Sequence, residues 1–383
     1  MQVVGTETIG SSGGTGSFTQ SAGTNTANGI LRVGDNANGT YNLSGAGELV
    51  VKDFEAVGAN GGTGTFNQTG GKNSVTNNLY VGGTGNGTFN LSGDTSQVLV
   101  GKDEIIGNQG AGTFNQNGGS NIVSGVMTIS NTPGTSSGTY NLNGGALTVT
   151  GGIVNNDSLN YTGGTFNANL TNNGQFNLGG DGTRTVNGDV INNGTVKTTN
   201  TNVVYTGTFT NNGAYISDPS TQHFNNLIIG DAGSLQGETG DKWIVSGDLI
   251  STSKIVWDTS KADLEFEGSG MHKFEFTGVQ SWNNFTIDDD VFLEFITGAG
   301  DTLNVDAITG LIFTEGKITN VKTHGMNIYY DASDDANKYL DGLSFEFADG
   351  GSLEAAPVPE PATMLLFGTG IAGLAAVGRR KRN

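Results

Sequence analysis

Gly39-Thr-Tyr-Asn-Leu-Ser-Gly45 returns as Gly87-Thr-Phe-Asn-Leu-Ser-Gly93 and again as Gly138-Thr-Tyr-Asn-Leu-Asn-Gly144. Between these lie Gly64-Thr-Phe-Asn-Gln-Thr-Gly70 and Gly112-Thr-Phe-Asn-Gln-Asn-Gly118, and Gly16-Ser-Phe-Thr-Gln-Ser21 is an earlier copy. From one aromatic to the next, the interval alternates between 23 and 25 and then becomes 26. Two kinds of unit therefore alternate with a double period near 48. Glu7-Thr-Ile-Gly10, Glu55-Ala-Val-Gly58 and Glu104-Ile-Ile-Gly107 mark one kind; Leu31-Arg-Val-Gly34 and Leu79-Tyr-Val-Gly82 mark the other.

A unit of this length holds several short β-type runs separated by Gly and Asn, and no helix-period stripe appears in the body. One unit cannot bury its own apolar side chains, so units must stack. The reading is an all-β parallel β-solenoid, a right-handed β-helix with about three short strands per turn. Equivalent residues then stand about 4.8 Å apart on neighbouring turns. Tyr41, Phe66, Phe89, Phe114 and Tyr140 are expected to form an internal aromatic stack. Asn42, Asn67, Asn90, Asn115 and Asn141 are expected to form a parallel amide ladder on the opposite side of the strand.

After about residue 150 the pattern changes. Asn172-Asn-Gly174, Asn192-Asn-Gly194 and Asn211-Asn-Gly213 recur at intervals of 20 and 19. Phe224-Asn-Asn-Leu-Ile-Ile229 matches Trp282-Asn-Asn-Phe-Thr-Ile287 at a separation of 58, which reads as three turns of 19. The expected organisation is a regular solenoid over 1–150 and a degenerate one over 151–350, with a β-sandwich from about 223 as the competing reading. In Asp263-Leu-Glu-Phe-Glu267 and Lys273-Phe-Glu-Phe276 the apolar residues should face in. The body resembles, as a pattern only, the β-helical passenger regions of bacterial autotransporters and adhesins.

Composition limits function. Gly accounts for 65 of 383 residues, there is no Cys, and the formal net charge is −19. Such an acidic chain does not bind nucleic acid by charge, and no disulfide framework is possible. Four of the 17 basic residues sit in the last five positions.

Those positions end a distinct segment. Residues 351–361 form a linker containing Pro357, Pro359 and Pro361; Ala362 to Gly378 is an uncharged run of seventeen residues; Arg379, Arg380, Lys381 and Arg382 follow in a basic tail, 379–383. As a helix the run would span about 26 Å, close to a hydrocarbon core of about 30 Å. The basic cluster would stay cytoplasmic and act as a stop-transfer element. Pro359-Glu360-Pro361, a short apolar helix and a terminal Arg/Lys cluster resemble the PEP-CTERM sorting signal. That resemblance implies export in a Gram-negative bacterium, transient anchoring in the inner membrane at 362–378, recognition by an exosortase through Pro359, Glu360 and Pro361, and delivery to the cell surface or beyond it. It also implies exopolysaccharide as a candidate partner.

An exported chain should begin with a cationic stretch and an apolar one. Met1-Gln2-Val3-Val4-Gly5 offers neither, and the first unit starts at Glu7, so further sequence upstream is expected.

Catalytic and cofactor-binding constellations are not expected. Asp288-Asp289-Asp290 reads as an acidic turn, and Asp331, Asp334 and Asp335 as a solvated loop without the features of an EF-hand. His223, His272 and His324 are widely separated along the chain, with no ligand spacing. The Gly-rich stretches precede strands, so they are not phosphate-binding loops. The expected function is that of a structural or adhesive repeat protein, not an enzyme. The alternatives are a carbohydrate-binding module, which would display Trp243, Trp257 or Trp282 along one face, and a polysaccharide-acting β-helix enzyme.

Overall fold

A computed structural model describes residues 1–298 and 300–356. The chain winds into a parallel β-solenoid of about fifteen turns, and its only helix among the described residues is a short 3-10 segment, Asp335–Leu340. Each regular turn has three strands, which build three lengthwise faces. Face A begins with Glu7–Ile9, Leu31–Asp35 and Glu55–Ala59; face B with Gly16–Gln20, Asn38–Leu43 and Thr63–Gln68; face C with Thr24–Ala27, Glu48–Val51 and Lys72–Val75.

Register follows the repeat. Tyr41 stands over Phe66, Phe66 over Phe89, and Phe114 over Tyr140. The ring centroids from Tyr41 to Tyr140 are 4.6–4.9 Å apart and the rings are within 9° of parallel. Each such contact contributes about 0.5–1.5 kcal/mol beyond area burial. Outside, Asn67 donates to Asn42 at 2.9 Å, and the ladder climbs through Asn90, Asn115 and Asn141 as expected. It runs further than expected, to Asn160 and Asn177.

Glycine is dictated where face A turns into face B. Gly58 has φ +77°, and a Cβ there would lie 2.3 Å from the carbonyl oxygen of Asn86 on the next turn. Gly34 meets Thr63 in the same way, at 2.2 Å. Turns can therefore close to sheet spacing only if this corner has no side chain.

The stack continues through residue 150, where Thr139 pairs with Ser158. Beyond 223 it is still parallel: Thr221–Phe224 pairs with Lys242–Val245, which pairs with Asp263–Phe266. The sandwich alternative is thereby set aside. Leu264, Phe266, Phe274 and Phe276 are buried as expected. The reading of the Phe224-to-Trp282 match as three turns of 19 is corrected. Phe224 lies in register with Val245, Phe266 and Ile287, and Trp282 with Val305 on another face. One turn here runs from Thr221 to Lys242 and the next from Lys242 to Asp263, longer than the Asn-Asn-Gly copies suggest. Both Asn-Asn pairs bend the chain at a corner, but not at the same corner, so the resemblance marked local shape and not turn position.

Among the described residues no helix is long and apolar enough to cross a membrane. The expected span 362–378, the sorting triplet Pro359–Pro361 and the basic residues Arg379–Arg382 lie outside the described residues.

Candidate functional site

The C-terminal turns change character. A hairpin pairs 313–314 with 317–318, the 3-10 helix packs on the strand Thr302–Thr309 through Asn337 and Tyr339, and Phe345–Glu346 pairs antiparallel with Ser352–Ala355, which covers part of the last edge. Covering an edge in this way removes a template for unwanted pairing. Ser352–Ala355 also pairs with Asn327–Tyr330, and the N–H of Ala356 donates to the carbonyl of Tyr330 at 2.7 Å. The solenoid's hydrogen bonding thus runs to the residue immediately before Pro357. Residues 357–383 follow and lie outside the described residues.

This boundary is where the comparison with protein families falls. Residues 357–382 match the model of the PEP-CTERM protein-sorting motif. The chain carries an exosortase sorting signal. It marks an exported protein that is handled at the membrane by an exosortase, with transient anchoring before release. The match covers the tail and leaves the body unassigned. No curated protein and no solved structure matches the chain.

The body brings some titratable groups together. His223 Nε2 lies 2.6 Å from Ser246 Oγ and 2.6 Å from Glu267 Oε1. Relay catalysis needs the acid and the nucleophile on different ring nitrogens. Here both meet Nε2, so the imidazole is a cross-turn tie. His324 sits between Glu294 at 3.1 Å and Asp349 at 3.5 Å, half exposed, while His272 is buried. Among the described residues no group of three His, Cys, Asp or Glu side chains is placed to hold a metal.

The Asp288–Asp290 segment forms a turn in which Val291 N–H donates to Asp288 O. Asp331 accepts from Ser333 N–H and Oγ, each at 2.7 Å, which lowers its pKa. Asp334 caps the 3-10 helix through Ala336 N–H, and Asp335 pairs with Lys338 at 2.9 Å. Burial, then the charges of Asp331 and Asp334, raise Asp306 nearby. These carboxylates shape and solubilise the loop. Trp243, Trp257 and Trp282 are all buried, at 0, 3 and 1% exposure, so the displayed tryptophan row is not formed.

The interior holds polar residues that the sequence reading did not assign. Glu7, Glu55 and Glu104 point inward on face A, in alternation with Leu31, Leu79 and Met127. Gln20, Gln68 and Gln116 alternate with Leu43, Leu91 and Leu142 on face B, and Asn25, Asn73 and Asn121 with Leu49, Val98 and Leu147 on face C. Every second turn is therefore a buried Glu–Gln–Asn layer between two apolar layers. This is the physical meaning of the double period. Asn73 donates to Glu55 at 2.9 Å and Asn121 to Glu104 at 2.9 Å. Burial outweighs these bonds and raises both glutamates to about 8. Higher up, Asn155, Asn172, Asn192 and Asn211 form a second, fully internal amide ladder with spacings of 2.7–2.8 Å.

Proposed function

We propose that this chain is a non-enzymatic structural repeat protein of the Gram-negative cell surface or extracellular matrix, with adhesive contacts to exopolysaccharide. An exosortase hands it over through Pro359, Glu360 and Pro361, the uncharged run 362–378 serves as the transient span, and Arg379–Arg382 fix orientation. The single observation that carries this reading is the sorting-motif match over residues 357–382. Supporting it, the side chains form repeated rows along the axis, as a scaffold requires. The titratable clusters that do form act as ties between turns or as loop supports.

The test is replacement of Pro359-Glu360-Pro361 by three alanines, followed by fractionation. The expected outcome is unprocessed protein retained in the inner membrane. Unchanged surface delivery would refute the exosortase reading.

A further inference from the structure

We propose that a slot between Arg32 and Tyr80 binds one acidic sugar residue of a polysaccharide chain. It rests on the reading of the body as a matrix-facing rod and names the chemistry of that contact.

The slot follows from register. Arg32, Ala56 and Tyr80 are consecutive members of the outward row on face A, since Arg32 pairs with Ala56 and Ala56 with Tyr80. Arg32 and Tyr80 are thus two turns apart, about 10 Å at sheet spacing. The small Ala56 between them makes a floor. Phe54 stands against Tyr80 edge to face, with centroids 5.7 Å apart and rings at 90°. The opposite wall is Ala59, Asn60, Gly83 and Thr84, and the cavity volume is about 240 Å³.

Its chemistry is specific. Tyr80 and Phe54 are only partly buried, so they offer an aromatic surface against which the apolar face of a sugar ring can rest. The Arg32 guanidinium makes no ion pair or hydrogen bond among the described residues. An unpaired guanidinium in a chain of net charge −19 is ready to take a carboxylate in bidentate fashion. At physiological salt the overall negative field is screened beyond about 8 Å, so this local pairing decides. Asn60 uses its Nδ2 on Asp35 and Asn108 uses its Oδ1 on Asn131. One amide acceptor and one amide donor therefore remain along the cavity for sugar hydroxyls.

Isothermal titration of the full chain in detergent tests this with three hexamers: a uronic acid, glucose and glutamate. The uronic acid hexamer should bind, with the glucose hexamer at least tenfold weaker. Arg32→Gln should lower the uronate affinity tenfold or more, to the level of the glucose hexamer. Ala56→Phe, which fills the slot, should abolish binding. No uronate binding, equal binding of the glucose hexamer, equal or tighter binding of the glutamate hexamer, or an unchanged Arg32→Gln would overturn the proposal. Arg32 is at the surface, so its variant keeps the fold, and an unchanged melting curve checks this. Binding in vitro is independent of delivery, so failure here leaves the sorting reading standing.

Discussion

Glu55 and Glu104 are the residues whose behaviour is easiest to mistake. A carboxyl with no exposure is ordinarily a liability. Here desolvation raises each from 4.5 to about 8, so at neutral pH most of the population is uncharged. Between those values the folded chain holds protons that the unfolded chain has released. The stability these two groups contribute is therefore full below about pH 4.5, falls as pH rises toward about 8, and is flat above it. Glu55→Gln removes the ionisable group and keeps an acceptor for Asn73. Thermal melts should show little change at pH 4.5 and a melting temperature several degrees above wild type at pH 8.5. A variant that tracks wild type at both pH values would contradict the buried, neutral acid. A second residue prediction concerns hydroxyls. Tyr41 OH bridges Asn25 and Gln20, and Tyr140 OH bridges Asn121 and Gln116. Phe89 holds the equivalent place over Asn73 and Gln68, and Gln68 Oε1 has no hydrogen-bond partner. Phe89→Tyr should stabilise by about 1 kcal/mol and Tyr140→Phe should destabilise by about 1–3 kcal/mol, both read by denaturant titration.

At the scale of the element, the corner between faces A and B controls whether turns can stack. Gly58→Ala puts a methyl group against the Asn86 carbonyl and strains a left-handed φ, so it should cost about 2 kcal/mol or more. Ala46, which borders the positive-φ Gly45 in another corner, already has a Cβ, and Ala46→Ser there should melt like wild type. Equal melting of the Gly58 variant would show that the corner relaxes freely. The elements themselves were legible to different degrees. The aromatic stack and the outer Asn ladder were readable because the Gly-to-Gly copies repeat both rows at one strand position. The inner ladder was not. In Asn172-Asn-Gly174 the two neighbours point to opposite faces, and identical side chains give no sign of which is inside. Glu7, Glu55 and Glu104 were visible as markers of the double period, yet their inward direction runs against the usual exposure of glutamate. The tail was legible because its chemistry is contiguous. The Arg32–Tyr80 slot was not, because its ends lie two turns apart along the chain and only the register joins them.

For the whole molecule, about fifteen turns at sheet spacing make a rod of about 70 Å. Neighbouring turns hold one another through stacked rings, amide ladders and a shared core, so stability is distributed along the axis. The sorting-motif match, 357–382, follows the last described residue, Ala356, so cleavage within it would leave every described turn of the rod in the product. The most direct check is the C-terminal peptide of the surface-delivered protein, identified by mass spectrometry. It should end close to Pro359–Pro361, with strand Ser352–Ala355 intact and Arg379–Arg382 gone. A delivered product that still carries Arg379–Arg382 would contradict the account.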